Sequence, residues 1–226
     1  TDTLAIAVGN LNLDGAADVE ALTVAEEANF ADDVTAVTSI TVSDKTTIST
    51  GTTITLTSDA GGTGGISLEE ISGVNGGAAE SLVLASGPST IAVTGAVSDI
   101  TNLTITDSGG ATFGGAVTLS GTLTLTDTDD ADDIIFNGAV TAATLTTQNP
   151  AYDLTFNAGG TITNDTNILS TGILTIGNDA NDVMTFTGGF SSGSTGAMNL
   201  AGTLATTNQA LDIDRVTTLT ANSVID

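Results

Sequence analysis

The chain is predicted to be all-β, a parallel β-helix or β-solenoid with rungs of about 20–25 residues. Three observations predict it. A phrase close to Phe-x-Gly-Ala-Val recurs at near-constant spacing. Short segments alternate Thr with Leu or Ile. Clusters of Gly, Asn and Asp separate those segments. A repeat this short cannot bury its own apolar face and is stable only when neighbours stack on it. The runner-up architecture is a Thr-rich β-sandwich.

Taken in chain order, the first element is the apolar, uncharged strand Thr3-Leu4-Ala5-Ile6-Ala7-Val8. The stretch DVEALTVAEEA at 18–28 fits a short helix with Val19 and Leu22 on one face, or a strand centred on Leu22-Thr23-Val24. An early copy of the phrase follows, Phe30-Ala31-Asp32-Asp33-Val34. Next comes the clean alternation Thr53-Ile54-Thr55-Leu56-Thr57, then a Gly-rich loop at 58–65. The segment GAAESLVLA at 77–85 is again open between helix and strand.

From residue 93 the phrase becomes regular. It reads Val93-Thr94-Gly95-Ala96-Val97, Phe113-Gly114-Gly115-Ala116-Val117 and Phe136-Asn137-Gly138-Ala139-Val140. Degenerate copies start at Phe156 and Phe186. The steps are about 20, 23, 20 and 30 residues, within the range of stacked repeats. Between copies lie Leu103-Thr104-Ile105-Thr106, Thr122-Leu123-Thr124-Leu125-Thr126, Thr144-Leu145-Thr146, Thr161-Ile162-Thr163 and Ile173-Leu174-Thr175-Ile176. Period-two alternation sends Leu and Ile to one side and Thr to the other. A rung therefore reads as strand, Gly turn, strand and polar loop. Phe30, Phe113, Phe136, Phe156 and Phe186 share one phase of the repeat, which predicts an internal ladder with Val93 as an apolar substitute. The last strand is Val216-Thr217-Thr218-Leu219-Thr220. One β-repeat domain is expected over 1–226, less regular over 1–90 and clearest over 91–226.

Charge excludes several functions. The 226 residues carry 27 acidic side chains against two basic ones, Lys45 and Arg215, with no His, for a net charge of -25. Such a surface repels phosphate backbones, so no nucleic-acid partner is expected. Anionic membranes are disfavoured likewise, and no apolar run approaches the roughly 18 residues of a membrane span. Without Cys there is no disulfide framework or thiol chemistry, which suits a secreted or cell-surface protein. Thr1 stands at the start and no signal-like segment follows, as expected of a processed product or excised fragment. With no basic partner for a carboxylate in any motif and no Trp platform for sugars, no enzyme is expected.

Two loops are candidates for calcium, a hard cation that seeks oxygen ligands. Asp127, Asp129, Asp130, Asp132 and Asp133 crowd one loop. Asn178, Asp179 and Asp182 lie in a second, Gly-Asn-Asp-Ala-Asn-Asp at 177–182, which looks like one unit of the glycine-aspartate repeats that bind calcium between turns. A solvated acidic turn is the alternative for both. The Thr rows also raise ice binding, since stacked rungs set hydroxyls roughly 4.8 Å apart between strands and roughly 6.8 Å along them.

The Gly-Ala-Val-Thr, Leu-Thr-Ile and Gly-Gly-Ala-Thr-Phe units over about residues 90–205 resemble the passenger regions of bacterial surface proteins of the filamentous-haemagglutinin and autotransporter type. The resemblance implies a right-handed parallel β-helix serving adhesion or scaffolding outside the cell, and cell-surface glycans as partners. Neither terminal segment reads as a polar cap. Ile6 and Val8 at one end, with Val216 and Leu219 at the other, are the candidate assembly residues for a homo-oligomer or filament.

Overall fold

The computed structural model describes residues 2–7, 9–49, 51–58, 64–74, 80–126, 132–148, 150–193 and 195–226. Every regular element among them is a strand, and no helix there is long and apolar enough to cross a membrane. The chain winds through about 10 turns of a β-solenoid. A full coil lays one short strand on each of three faces, and strands of successive coils pair in parallel.

Short strands make three-sided coils because a three-residue strand can send two side chains in and one out. Val117–Leu119 and Val140–Ala142 show that pattern, with the central Thr exposed between two buried residues. On the first face, Leu22, Ile40, Ile66, Ile91, Ala111, Ile134, Leu154, Leu174 and Met198 stack in one inward column. On the second, Thr46, Ile71, Val97, Val117, Val140, Gly160, Met184 and Leu204 do the same. On the third, Val34, Leu56, Leu84, Ile105, Leu125 and Thr147 continue one another. These columns form one apolar core along the axis. Coil length varies, from 17 residues between Ala17 and Val34 to 28 between Leu56 and Leu84.

The ambiguous stretches form strands where they are described; residues 77–79 lie outside the described residues. Residues 18–28 contribute most of Ala17–Val24, whose side chains must alternate into the core beneath Val34–Ile48. Ser81–Ala85 carries Leu82 and Leu84 inward on the third face. A rung holds three strands rather than two, and the repeated phrase marks a corner, not a whole rung.

The aromatic ladder is shorter than the phrase predicts. Phe113 stacks on Phe136 with ring centroids 5.0 Å apart, and Phe136 on Phe156 at 5.4 Å, both nearly parallel. Val93 pairs with Phe113 and occupies the next place in that column. Phe30 and Phe186 do not join it. They lie on the second face, where Phe30 pairs with Leu13 and Ile48, and Phe186 with Ile162. There Phe186 packs against Phe190 at 4.6 Å across the next corner. The same phrase serves two different corners, because any corner needs an inward apolar residue, a close-packed turn and another inward residue.

The Gly of the phrase is fixed by stacking. A Cβ on Gly138 would sit 2.3 Å from the backbone of Gly115, and one on Gly115 would sit 2.5 Å from that of Gly95. Successive corners thus rest directly on one another, leaving room only for hydrogen.

The one buried cation closes a different corner. Arg215, 4% exposed, donates through Nη1 to the Gly172 carbonyl at 2.6 Å and through Nη2 to the Ser170 carbonyl. Burial lowers its pKa, partly opposed by Tyr152. Tyr152 is itself fully buried, and burial pushes its hydroxyl up to about 12.

Candidate functional site: acidic loops and open ends

The two candidate calcium loops sit on different corners. Residues 177–182 connect the first-face strand Leu174–Ile176 to the second-face strand Val183–Phe186. The other loop leads from the third-face strand Thr122–Leu125 to the first-face strand Asp133–Phe136 of the next coil. Among the described residues the fold does not bring them together. Asp127, Asp129 and Asp130 lie outside the described residues.

Within 177–182 the carboxylates are turned onto the loop's own backbone. One oxygen of Asp182 accepts from the amides of Asn178 and Asp179 at 2.8 and 2.9 Å. Asp179 accepts from the Asn181 amide at 2.6 Å. Gly177 holds a φ of +74° to start the turn. Such self-capping satisfies amides that no strand reaches. It gives Asp179 and Asp182 a structural use that the sequence pattern did not separate from ion binding. Asn178 contributes its amide, with its side chain on an exposed residue.

Asp132 and Asp133 gain a partner that the motif reading missed. Asp133 pairs in register with Asp153 of the next coil. Burial, then the charges of Asp153 and Asp132, raise the pKa of Asp133. Asp153 accepts the Ile173 amide at 2.6 Å. The signal was present in the sequence: Phe136 and Phe156 are ladder neighbours, so the residues three places before each must stack as well. Among the described residues no group of three or more acidic, His or Cys side chains is placed to hold a metal ion.

The ends differ from the middle. Val216–Ile225 pairs in parallel with Ala197–Thr206 and prolongs two inward columns, placing Leu219 over Leu200 and Ile225 over Leu204. Leu219 is 60% exposed and Val216 80%, with Val224 and Ile225 more than half exposed. The strand is longer than its Thr-rich start suggested, running through Ile225. Val216 is an outward residue, paired with Ala197, so only Leu219 of that pair belongs to an inward column. At the other end, Ile6 with Leu4, Leu11 and Leu13 is half-buried against the core. Val8 lies outside the described residues.

The flanks carry two ordered surfaces. On the third face, Thr55, Val83, Thr104, Thr124 and Thr146 form one outward column. Beside it Asn102 links to Ser81 and to the Thr122 amide at 2.9 and 2.8 Å. Val83 and Asn102 interrupt the hydroxyl lattice expected of an ice-binding plane. On the second face, a shallow depression is lined by Asn10, Asn12, Glu27, Asn29 and Thr47. Its amides are tied together, Asn10 to Glu27 at 3.1 Å and Asn29 to Asn12 at 2.7 Å.

Comparison with protein-family models, curated proteins and solved structures finds no match.

Proposed function

We propose that this chain is a non-enzymatic structural element of the cell exterior, a subunit that stacks end to end with copies of itself into a filament or surface scaffold. The observation that carries this reading is the last coil, where Leu219 and Ile225 continue buried columns yet stand open to solvent. An open parallel strand edge backed by apolar side chains is a template for further strands. Another coil laid over it would bury those side chains at about 25 cal/mol per Å² of apolar surface. Head-to-tail contacts that do not close produce filaments. A surface of net charge -25 keeps the sides of such assemblies apart and favours axial over lateral growth. The resemblance to filamentous-haemagglutinin and autotransporter passengers supports an exterior location.

Sedimentation velocity over a concentration series tests this. Wild-type chains are expected to form growing species, and Leu219→Asp with Ile225→Asp to remain monomeric. A wild type that stays monomeric at high concentration refutes assembly and leaves further coils of a longer polypeptide as the natural cover for that end.

The second-face depression favours a second reading, an adhesin that binds surface glycans, because linked amides and a carboxylate suit sugar hydroxyls. Glycan-array binding abolished by Asn12→Ala and Asn29→Ala would support it; an array without signal would remove it.

A further inference from the structure

The two ends of the solenoid begin on different faces. At the first coil the open strands are Leu4–Ile6 on the first face, Leu11–Leu13 on the second and residues 17–19 on the third. Among the described residues each is paired only with the coil that follows it. At the last coil the order is third, first, second. Leu211–Ile213 extends the third face through Phe190–Ser192 and Thr166–Ile168, which meets Thr147 where the Leu169 amide donates to its hydroxyl at 2.8 Å. Residues 217–219 then lie on the first face and 223–225 on the second, each paired only with the preceding coil. All six strands offer unpaired backbone edges.

A parallel coil rises by one strand spacing, about 4.8 Å, over its three faces, so each strand lies about a third of a spacing above the one before it. Copies stacked with like faces aligned put Leu4–Ile6 over 217–219 and Leu11–Leu13 over 223–225. Residues 17–19 then come two spacings above Leu211–Ile213, and a strand-wide gap stays open on the third face. Seating 17–19 directly on Leu211–Ile213 instead drives Leu4–Ile6 into the level that 217–219 already fill. Turning the upper copy by one face removes both faults. Leu4–Ile6 then lies over Leu211–Ile213, Leu11–Leu13 over 217–219, and 17–19 over 223–225, each one spacing apart.

Resting on the end-to-end reading above, we propose that successive copies are rotated by one face, a third of a turn about the axis. The first face of each copy stands on the third face of the copy below. The side chains suit this register. Leu4 and Ile6, half-buried on the core, close over Leu211 and Ile213, which are half-buried in the same way. The exposed residues Ala5, Asn12 and Asp18 come beside Asp212, Thr218 and Val224, so no two carboxylates oppose each other across the junction. Each side of the filament is then built of the chain's three faces in turn.

The test uses the full chain, which has no Cys, assembled and checked by sedimentation. Ala5→Cys with Asp212→Cys joins neighbours of the rotated junction, and Asn12→Cys with Thr218→Cys is a second such pair. Ala5→Cys with Thr218→Cys joins neighbours of the aligned one. All four positions are exposed, so the inward columns stay intact. On mild oxidation the rotated pairs should give a ladder of disulfide-linked oligomers on a non-reducing gel. The aligned pair should give none, because its residues lie on different faces, beyond the roughly 7 Å between Cα atoms that a disulfide tolerates. A ladder from either rotated pair with none from the aligned pair supports the rotation, and if one rotated variant fails to assemble the other decides. A ladder from the aligned pair, or assembled chains in which neither rotated pair links, overturns the rotation and leaves end-to-end stacking in place. A wild type that sediments as a monomer removes the end-to-end reading and this junction together.

Discussion

Leu200 and Leu219 hold the same place in successive coils and pair in register, yet Leu200 is fully buried and Leu219 is 60% exposed. Residue type, face and inward direction are the same. Only the presence of a coil above differs. In a solenoid each residue is buried by its neighbours along the axis, so stability is a sum over stacked interfaces rather than a property of one closed core. The middle and the end of this molecule therefore respond differently to the same kind of change.

The largest contrast is expected between the aromatic ladder and the last coil. Phe136 is sandwiched between Phe113 and Phe156, and Phe136→Ala should cost about 3–5 kcal/mol of unfolding free energy. Leu219→Ala should cost less than about 1 kcal/mol in dilute solution, since little area is removed from water there. Urea titrations of both variants check this, and equal losses would break the comparison.

A smaller effect belongs to the corners. Gly138→Ala drives a methyl into the backbone of Gly115, whereas a Cβ on Gly15 meets nothing within 4 Å. The first substitution should destabilise by about 2 kcal/mol or more. The second should stay within about 0.5 kcal/mol. Equal thermal shifts in the two would show that the corners do not rest on one another as described.

Smallest is the charge stack of Asp133 and Asp153. Like charges directly opposite on neighbouring strands destabilise by a few tenths of a kcal/mol, up to about 1. Asp133→Asn should therefore be slightly stabilising at neutral pH. The pKa of Asp133 is raised in the fold from its ordinary 3.8, so folded protein binds this proton more readily than unfolded protein. The stability it contributes is full below 3.8 and is lost as pH rises through the higher folded value. The advantage of Asp133→Asn should accordingly appear on raising the pH and vanish on acidification. Chemical denaturation across that window measures it, and an advantage that grows in acid would contradict the assignment.

Much of this architecture can be read in the sequence because a strand alternates and a coil repeats. Leu123 and Leu125 turn inward and Thr124 outward as period two requires. What the pattern does not carry is which corner a phrase occupies. Phe113 and Phe30 open similar phrases, but the chain before Phe30 has already passed through Leu22–Val24 on the first face, so the phrase falls one face later. Phase along the chain counts residues, whereas position around the axis counts strands, and variable loop lengths separate the two. Asp153 could have been found by its ladder spacing. The burial of Glu80, 2% exposed, could not, because the segment around it fits a helix or strand equally well and only the stack reveals it. Arg215 likewise reads as a surface charge until the carbonyls of Ser170 and Gly172, more than forty residues earlier, are laid beneath it.

In the filament proposed above, a second copy covers the last coil. Amide hydrogen exchange, followed strand by strand at two protein concentrations, tests it most directly. In dilute solution Val216–Ile225 should exchange orders of magnitude faster than Thr122–Leu125. At concentrations where larger species form, its protection should rise towards that of the central strand while Thr122–Leu125 stays unchanged. Full protection of Val216–Ile225 in the dilute monomer, or fast exchange that persists in the assembled state, would contradict the claim.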